Sequence, residues 1–172
     1  PLVARAGRFH AIELDRDLAA ELRKRYAGNE RVTVHNADAL AFDFSSLGSS
    51  LRLVGNLPYN ISTPLLFHLL EQRAAIADMH FMLQKEVVDR IASEPGSKAY
   101  GRLTIMLGCH LDVEALFDVG PQAFEPPPEV DSAVIRLRPL PPDRIELVDA
   151  GSLSALLRTA FSRRRKTLRN AL

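Results

Sequence analysis

The residues best suited to chemistry lie in the run Gly55-Asn56-Leu57-Pro58-Tyr59-Asn60. Asn56 carries a carbonyl acceptor and an amide donor on one planar group. Pro58 fixes its own φ and pushes its predecessor out of the helical region, so the loop is stiff. Tyr59 offers a flat face on which a nucleobase can stack. Asn and Pro are also ordinary turn formers, and a bare Asn-x-Pro fits a strand-to-helix turn equally well. A second set is the acids Glu13 and Asp38, each placed just after a strand-like segment. A carboxylate at the end of a strand in a nucleotide-binding sheet can accept hydrogen bonds from both ribose hydroxyls. An acid after the next strand can accept from an adenine's exocyclic amine. For either acid taken alone, a solvated loop residue or helix cap is the simpler reading. Asp15 and Asp17 fit that simpler reading, as acids opening a helix where its dipole favours them.

The elements that must position these groups follow from periodicity. Residues 8–14 read as a strand, and 17–26 as a helix with Leu18, Leu22 and Tyr26 on one face. Residues 31–36 read as a second strand running into Ala37-Asp38-Ala39, and 51–54 as a short buried one. A helix follows, with a Thr63 cap, Pro64 at its first position and Leu65, Leu66, Leu69 and Leu70 as its apolar face. Further along, 77–83 reads as a strand, 85–92 and 100–107 as helices, 111–119 as extended and 130–138 as a strand. Residues 139–142 read as a linker and 152–172 as a helix. The alternation predicts an α/β fold, a parallel sheet with helices on its faces. Asn56 and Tyr59 then sit at the carboxyl end of a strand, where open α/β sheets bind ligands.

Composition narrows the class. The 172 residues suit one domain with the start of a second. A net charge of +1 excludes a uniformly basic protein. The basic residues are concentrated instead: from Ser152 to Leu172 there are Arg158, Arg163, Arg164, Arg165, Lys166 and Arg169, and no acids. That cluster suits phosphate contact, while a solvated helix end complementing its dipole is the plainer alternative. The single cysteine, Cys109, allows no internal disulfide and fits a reducing, cytoplasmic setting. No apolar run reaches membrane-spanning length. The five histidines and Cys109 share no metal-ligand spacing, so no metal is expected.

Asn56-Leu57-Pro58-Tyr59 resembles the Asn-x-Pro-Tyr signature of adenine amino-methyltransferases. The longer string NLPYNISTPLLFHLL is similar to the branch that dimethylates adenines in ribosomal RNA, and IADMHFMLQKEVVDRI, SKAYGRL, FEPPPEVDSAV and FSRRRKTLRNAL fit the same branch. The resemblance covers essentially the whole chain. It points to the bacterial small-subunit ribosomal RNA dimethyladenosine transferases, which methylate two adjacent adenines near the RNA's 3′ end.

The resemblance implies a class I, Rossmann-like S-adenosyl-L-methionine-dependent methyltransferase. Residues 1–140 would form the catalytic domain, and 141–172 the start of a small C-terminal helical RNA-binding domain. Glu13 takes the ribose of the cofactor, Asp38 its adenine, and Ala39 matches the same pattern; Asn56 is counted among the cofactor-binding residues as well. Asn56 and the Leu57 carbonyl hold the target amine, Pro58 stiffens the loop and Tyr59 stacks on the base. Phe124 is a second stacking candidate or, equally, a core aromatic pinned by Pro126-Pro127-Pro128. Arg163, Arg164, Arg165, Lys166 and Arg169 would contact RNA. One departure stands out: no glycine-rich turn lies upstream of Glu13, where Gly7 is alone. The family's first strand and glycine loop are therefore expected before Pro1. The implied partner is the small ribosomal subunit and its RNA, bound by a cytoplasmic monomer with no membrane association.

Other readings keep part of this chemistry. Large-subunit RNA as substrate, as in the macrolide-resistance methylases, fits the shorter motif but not NISTPLLFHLL or SKAYGRL. In DNA adenine methylases the residue before Pro58 is usually proline, and here it is Leu57. A ribosome-assembly factor with methylation secondary, and a nucleotide-binding module without transfer activity, are the readings from other classes.

Overall fold

A computed structural model describes residues 2–144 and 150–162. After a short α1 (Leu2–Arg5), the chain runs β1 (Phe9–Glu13), α2 (Arg16–Arg25), β2 (Val32–Asn36), β3 (Leu51–Asn56) and α3 (Ser62–Glu71). It continues with β4 (Ile76–Gln84), α4 (Lys85–Ile91), α5 (Arg102–Gly108), β5 (Leu111–Val119), β6 (Ser132–Pro139) and α6 (Ala150–Ser162).

The strands form two sheets. β1 and β2 pair in parallel, with Glu13 opposite Asn36. The other sheet has the order β3-β4-β6-β5. Its β3–β4 pair is parallel, but β6 is antiparallel to both neighbours. The sheet is therefore mixed rather than wholly parallel. α4 and α5 carry the chain from β4 to β5, leaving those strands parallel. The connection from β5 to β6 holds no crossover helix, so β6 returns antiparallel and fills the slot between them.

Alternation along the strands divides this sheet into two faces. Met79, Phe81 and Leu83 of β4 and Ala133, Ile135 and Leu137 of β6 are buried together with Leu66 and Leu69 of α3, Val88 and Ile91 of α4 and Leu107 of α5. The opposite face carries cross-strand ion pairs: Arg52 with Asp78 at 3.3 Å, Arg136 with Glu114, and Arg138 with Asp112. Exposed pairs of this kind contribute about 0–1 kcal/mol each. The apolar face is what holds the sheet in place.

The helix after the central motif starts differently from expectation. Ile61, not Thr63, precedes its first turn, and no side chain caps it. Ser62 Oγ instead donates to the Tyr59 carbonyl at 3.0 Å, drawing the preceding loop onto the helix. Thr63 and Pro64 are the second and third helical residues, where a missing N–H breaks no intrahelical bond. The expected linker also begins later: β6 runs to Pro139, and Leu140 N donates to the His110 carbonyl at 2.8 Å. α6 lies against α5 through Arg102, whose guanidinium donates to Ser154 Oγ at 3.0 Å, and through Tyr100 and Phe161.

Candidate active site

β3 ends at Asn56, two residues beyond the expected strand, in register with Met82 of β4. Leu57 N adds one more bond, donating to the Met82 carbonyl at 3.1 Å. This turns the Leu57 side chain into the core, 8% exposed, and leaves the Asn56 carboxamide on the opposite, exposed side. Gly55 makes the approach possible, because a Cβ there would stand 3.0 Å from Leu57 Cδ2. The loop then closes on itself. Ile61 N donates to the Pro58 carbonyl at 3.1 Å and Leu65 N to the Ile61 carbonyl at 2.9 Å. Among the described residues, neither the Asn56 carboxamide nor the Leu57 carbonyl oxygen has a hydrogen-bond partner. Two adjacent acceptors are thus left open at the end of β3. Tyr59 is 39% exposed, and its hydroxyl lies 3.1 Å from Ser132 Oγ at the head of β6.

The two acids meet at the corresponding end of the β1–β2 pair. Ala37 N donates to the Glu13 carbonyl at 3.0 Å, and Asn36 Nδ2 donates to the carbonyls of Glu13 and Leu14. Glu13 is half-buried; its Oε1 accepts from Asp15 N at 2.9 Å, which fixes the carboxylate and leaves its second oxygen open. Asp38 is exposed, and its Oδ1 accepts from Leu40 N at 2.9 Å. Ala39 packs against the core. Asp15 is the cap of α2, accepting from Asp17 N and Leu18 N at 2.8 and 3.0 Å, as its sequence position suggests. Two carboxylates with one free oxygen each suit the hydroxyl and amine donors of an adenosine, so these residues fit that part of the expected cofactor.

A family model for ribosomal RNA adenine dimethylase matches residues 1–172. The chain belongs to the ribosomal RNA adenine dimethylase family. It is 56% identical over 172 residues to ribosomal RNA small subunit methyltransferase A of Dechloromonas aromatica, covering all of this chain and 67% of that one. Its identity to the protein of the same name from Aromatoleum aromaticum is 55%, covering 64% of that protein. Among solved structures, a dimethyladenosine transferase from Plasmodium falciparum superposes with a TM-score of 0.87 at 32% identity, over 99% of this chain and 61% of that one. The 23S rRNA methyltransferase ErmE superposes with a TM-score of 0.81 at 26% identity, over 99% and 68%. The chain thus spans about two thirds of the length of these relatives. The dimethylase is accordingly an α/β enzyme of the class I methyltransferase type.

Not every expected dimethylase residue joins this arrangement. Phe124 lies outside the buried core, half-exposed in the loop between β5 and β6, one residue before the cis Glu125–Pro126 peptide. Its loop leads on to Ser132, but no ring contact joins Phe124 to Tyr59 among the described residues. Arg163, Arg164, Arg165, Lys166 and Arg169 lie outside the described residues. On α4, Lys85 bridges Asp89 and Asp118 at 3.1 and 3.2 Å, and Arg90 pairs with Glu86. Those contacts hold the Lys85 amine above its ordinary pKa, through the Asp89 hydrogen bond first and the Asp118 bond second. His10 Nδ1 lies 3.0 Å from His35 Nε2, and His68 Nε2 reaches the Phe42 carbonyl at 2.8 Å.

Two residues of the site escape sequence reading. Ser132 shows no nucleophile context and is only a polar interruption in an apolar strand. Asn36 looks like a strand terminator. The usable signal in each is position, a small polar residue at the end of a strand that leads to a candidate site.

Proposed function

We propose that the complete protein uses S-adenosyl-L-methionine to dimethylate the exocyclic amines of two adjacent adenines near the 3′ end of small-subunit ribosomal RNA, in the cytoplasm and during subunit maturation. The observation that carries the reading is the pair of open acceptors, Asn56 Oδ1 and the Leu57 carbonyl, beside a partly exposed Tyr59. The 53–56% identity to relatives named for the small subunit favours that RNA over the large-subunit RNA named for ErmE.

An adenine's exocyclic amine is a poor nucleophile because its lone pair is delocalised into the ring. Asn56 and Leu57 would accept the two amine hydrogens and favour a tetrahedral nitrogen with its lone pair directed outward. Tyr59 would hold the base by stacking, with Phe124 as a second face, after the base has left its own stack. Asn56 is neutral and serves as an orienting acceptor rather than a strong base, so the proton leaves to water. Catalysis is mostly orientation and electrostatics. Glu13 would hold the cofactor's ribose and Asp38 its adenine, with Ala39 against the same group; the cofactor, when bound, supplies an electrophilic methyl on sulfonium. The segment from 141 onward would open a helical domain whose basic residues Arg163, Arg164, Arg165, Lys166 and Arg169 contact RNA.

The test is labelling of small subunits from cells lacking the modification by the full-length protein, with the label mapped by mass spectrometry. Dimethyladenine at adjacent positions near the 3′ end is expected. Asn56→Ala should lower the rate about 100-fold, the scale of losing one orienting polar group, with binding to the small subunit retained. Label on large-subunit RNA, or undiminished transfer by the variant, would refute the assignment.

A further inference from the structure

We infer that Ser132 is a positioning residue for Tyr59: its buried hydroxyl locks the tyrosine ring over the sheet face that presents Asn56. The inference rests on the stacking role proposed above. Ser132 is 1% exposed and stands in an inner strand, opposite Gln84 on one side and Val119 on the other. A hydroxyl buried there is costly unless it is hydrogen-bonded, and its side chain meets the Tyr59 hydroxyl at 3.1 Å.

The register explains why this bond bears on the reaction. Asn56 lies opposite Met82, and Met82 lies opposite Val134. Opposed residues share a face, and so do residues two apart on one strand. Ser132 therefore lies on the Asn56 face, one step nearer the end of the sheet. Tyr59 leaves the sheet three residues after Asn56 in an exposed loop, and its backbone alone leaves the ring free to turn about χ1. The bond to Ser132 brings the hydroxyl end back to that face and removes this freedom. A base stacked on the ring is then held at a fixed height and angle to the two open acceptors. Tyrosine rather than phenylalanine is required because the anchor uses the hydroxyl, whereas stacking uses only the ring.

The experiment compares Ser132→Ala, Tyr59→Phe, the double variant and Tyr59→Ala in the full-length protein, on immature small subunits at saturating cofactor. Ser132→Ala and Tyr59→Phe should each lower kcat/KM about five- to tenfold, the scale of one lost neutral hydrogen bond. The double variant should be no worse than either single one, and the cofactor Kd should not change in any. Tyr59→Phe removes the same bond from its exposed end, so it carries the test even if Ser132→Ala folds poorly. Wild-type kcat/KM in Tyr59→Phe, or losses that multiply in the double variant, would overturn the lock while leaving stacking intact. Full activity in Tyr59→Ala would instead overturn the stacking role itself.

Discussion

Asn36 closes the end of β1, its Nδ2 donating at 2.9 Å to the carbonyls of both Glu13 and Leu14. The clamp crosses from β2 to β1 and fixes the backbone at the point where the Glu13 carboxylate emerges. Replacing Asn36 with alanine removes two hydrogen bonds without touching either acid. Each neutral bond contributes about 0.5–1.5 kcal/mol, so affinity for S-adenosylmethionine should fall about tenfold. Isothermal titration of the full-length variant measures this, and an unchanged Kd would show that Glu13 is positioned without the clamp.

Gly55 is a second point at which one atom decides. A Cβ there meets Leu57 Cδ2 at 3.0 Å and the Phe81 ring at 3.6 Å. Leu57 is packed in the core, so the contact presses on the residue whose carbonyl is one of the two open acceptors. Gly55→Ala should cost about 1–3 kcal/mol of stability, as overpacking does, and should lower the methylation rate by more than the folded fraction accounts for. Urea titration and initial rates on one preparation separate the two effects.

Leu69 of α3 tests the face that holds the sheet. It is 1% exposed within the main core. Leu69→Ala should destabilise by about 3–5 kcal/mol, through lost burial and the cavity left behind. The urea midpoint is the readout.

Acid should weaken the fold before the carboxylates titrate. His110 is buried, its Nδ1 has no partner, and burial followed by the nearby Arg73 charge holds its pKa below the ordinary histidine value. His35 is lowered as well, by burial first and then by His10 and Arg23. A depressed histidine binds its proton more readily in the unfolded chain. Stability is therefore complete above about pH 6.5 and declines as pH falls below it. The urea midpoint should be lower at pH 5.5 than at pH 7.5, and His110→Asn should reduce that difference. An unaltered pH dependence in the variant would assign the effect elsewhere.

Much of this architecture is legible in the sequence, for identifiable reasons. Among the described residues every strand and helix named from periodicity is present, the last as far as Ser162, because segments such as residues 77–83 and 65–70 place apolar residues at the spacing of one element type. The family signature at residues 56–59 also falls where expected, at the end of a strand. What stays hidden is non-local. Strand direction is not written in β6 itself, since an apolar strand reads alike in either orientation. The Ser132–Tyr59 contact joins residues 73 apart in sequence. The Thr63 cap fails because the helix already begins at Ser62, which makes Thr63 its second residue. Local propensity gives several polar residues an equal claim to the helix start, and only the tertiary path chooses among them.

The insertion of β6 between β4 and β5 has a consequence for biosynthesis. Residues 55–60 leave the ribosome shortly before β4 and can join it soon afterwards, but the anchor for Tyr59 does not exist until Ser132 has been made and its strand has entered a gap between two others. Contacts so distant in sequence form late, because a long loop must close before they are rewarded. Between the synthesis of Tyr59 and that of Ser132, 73 residues later, the nascent chain therefore carries the Asn56–Tyr59 signature without its anchor. The lock inferred for Tyr59 arrives with β6 rather than with the motif itself.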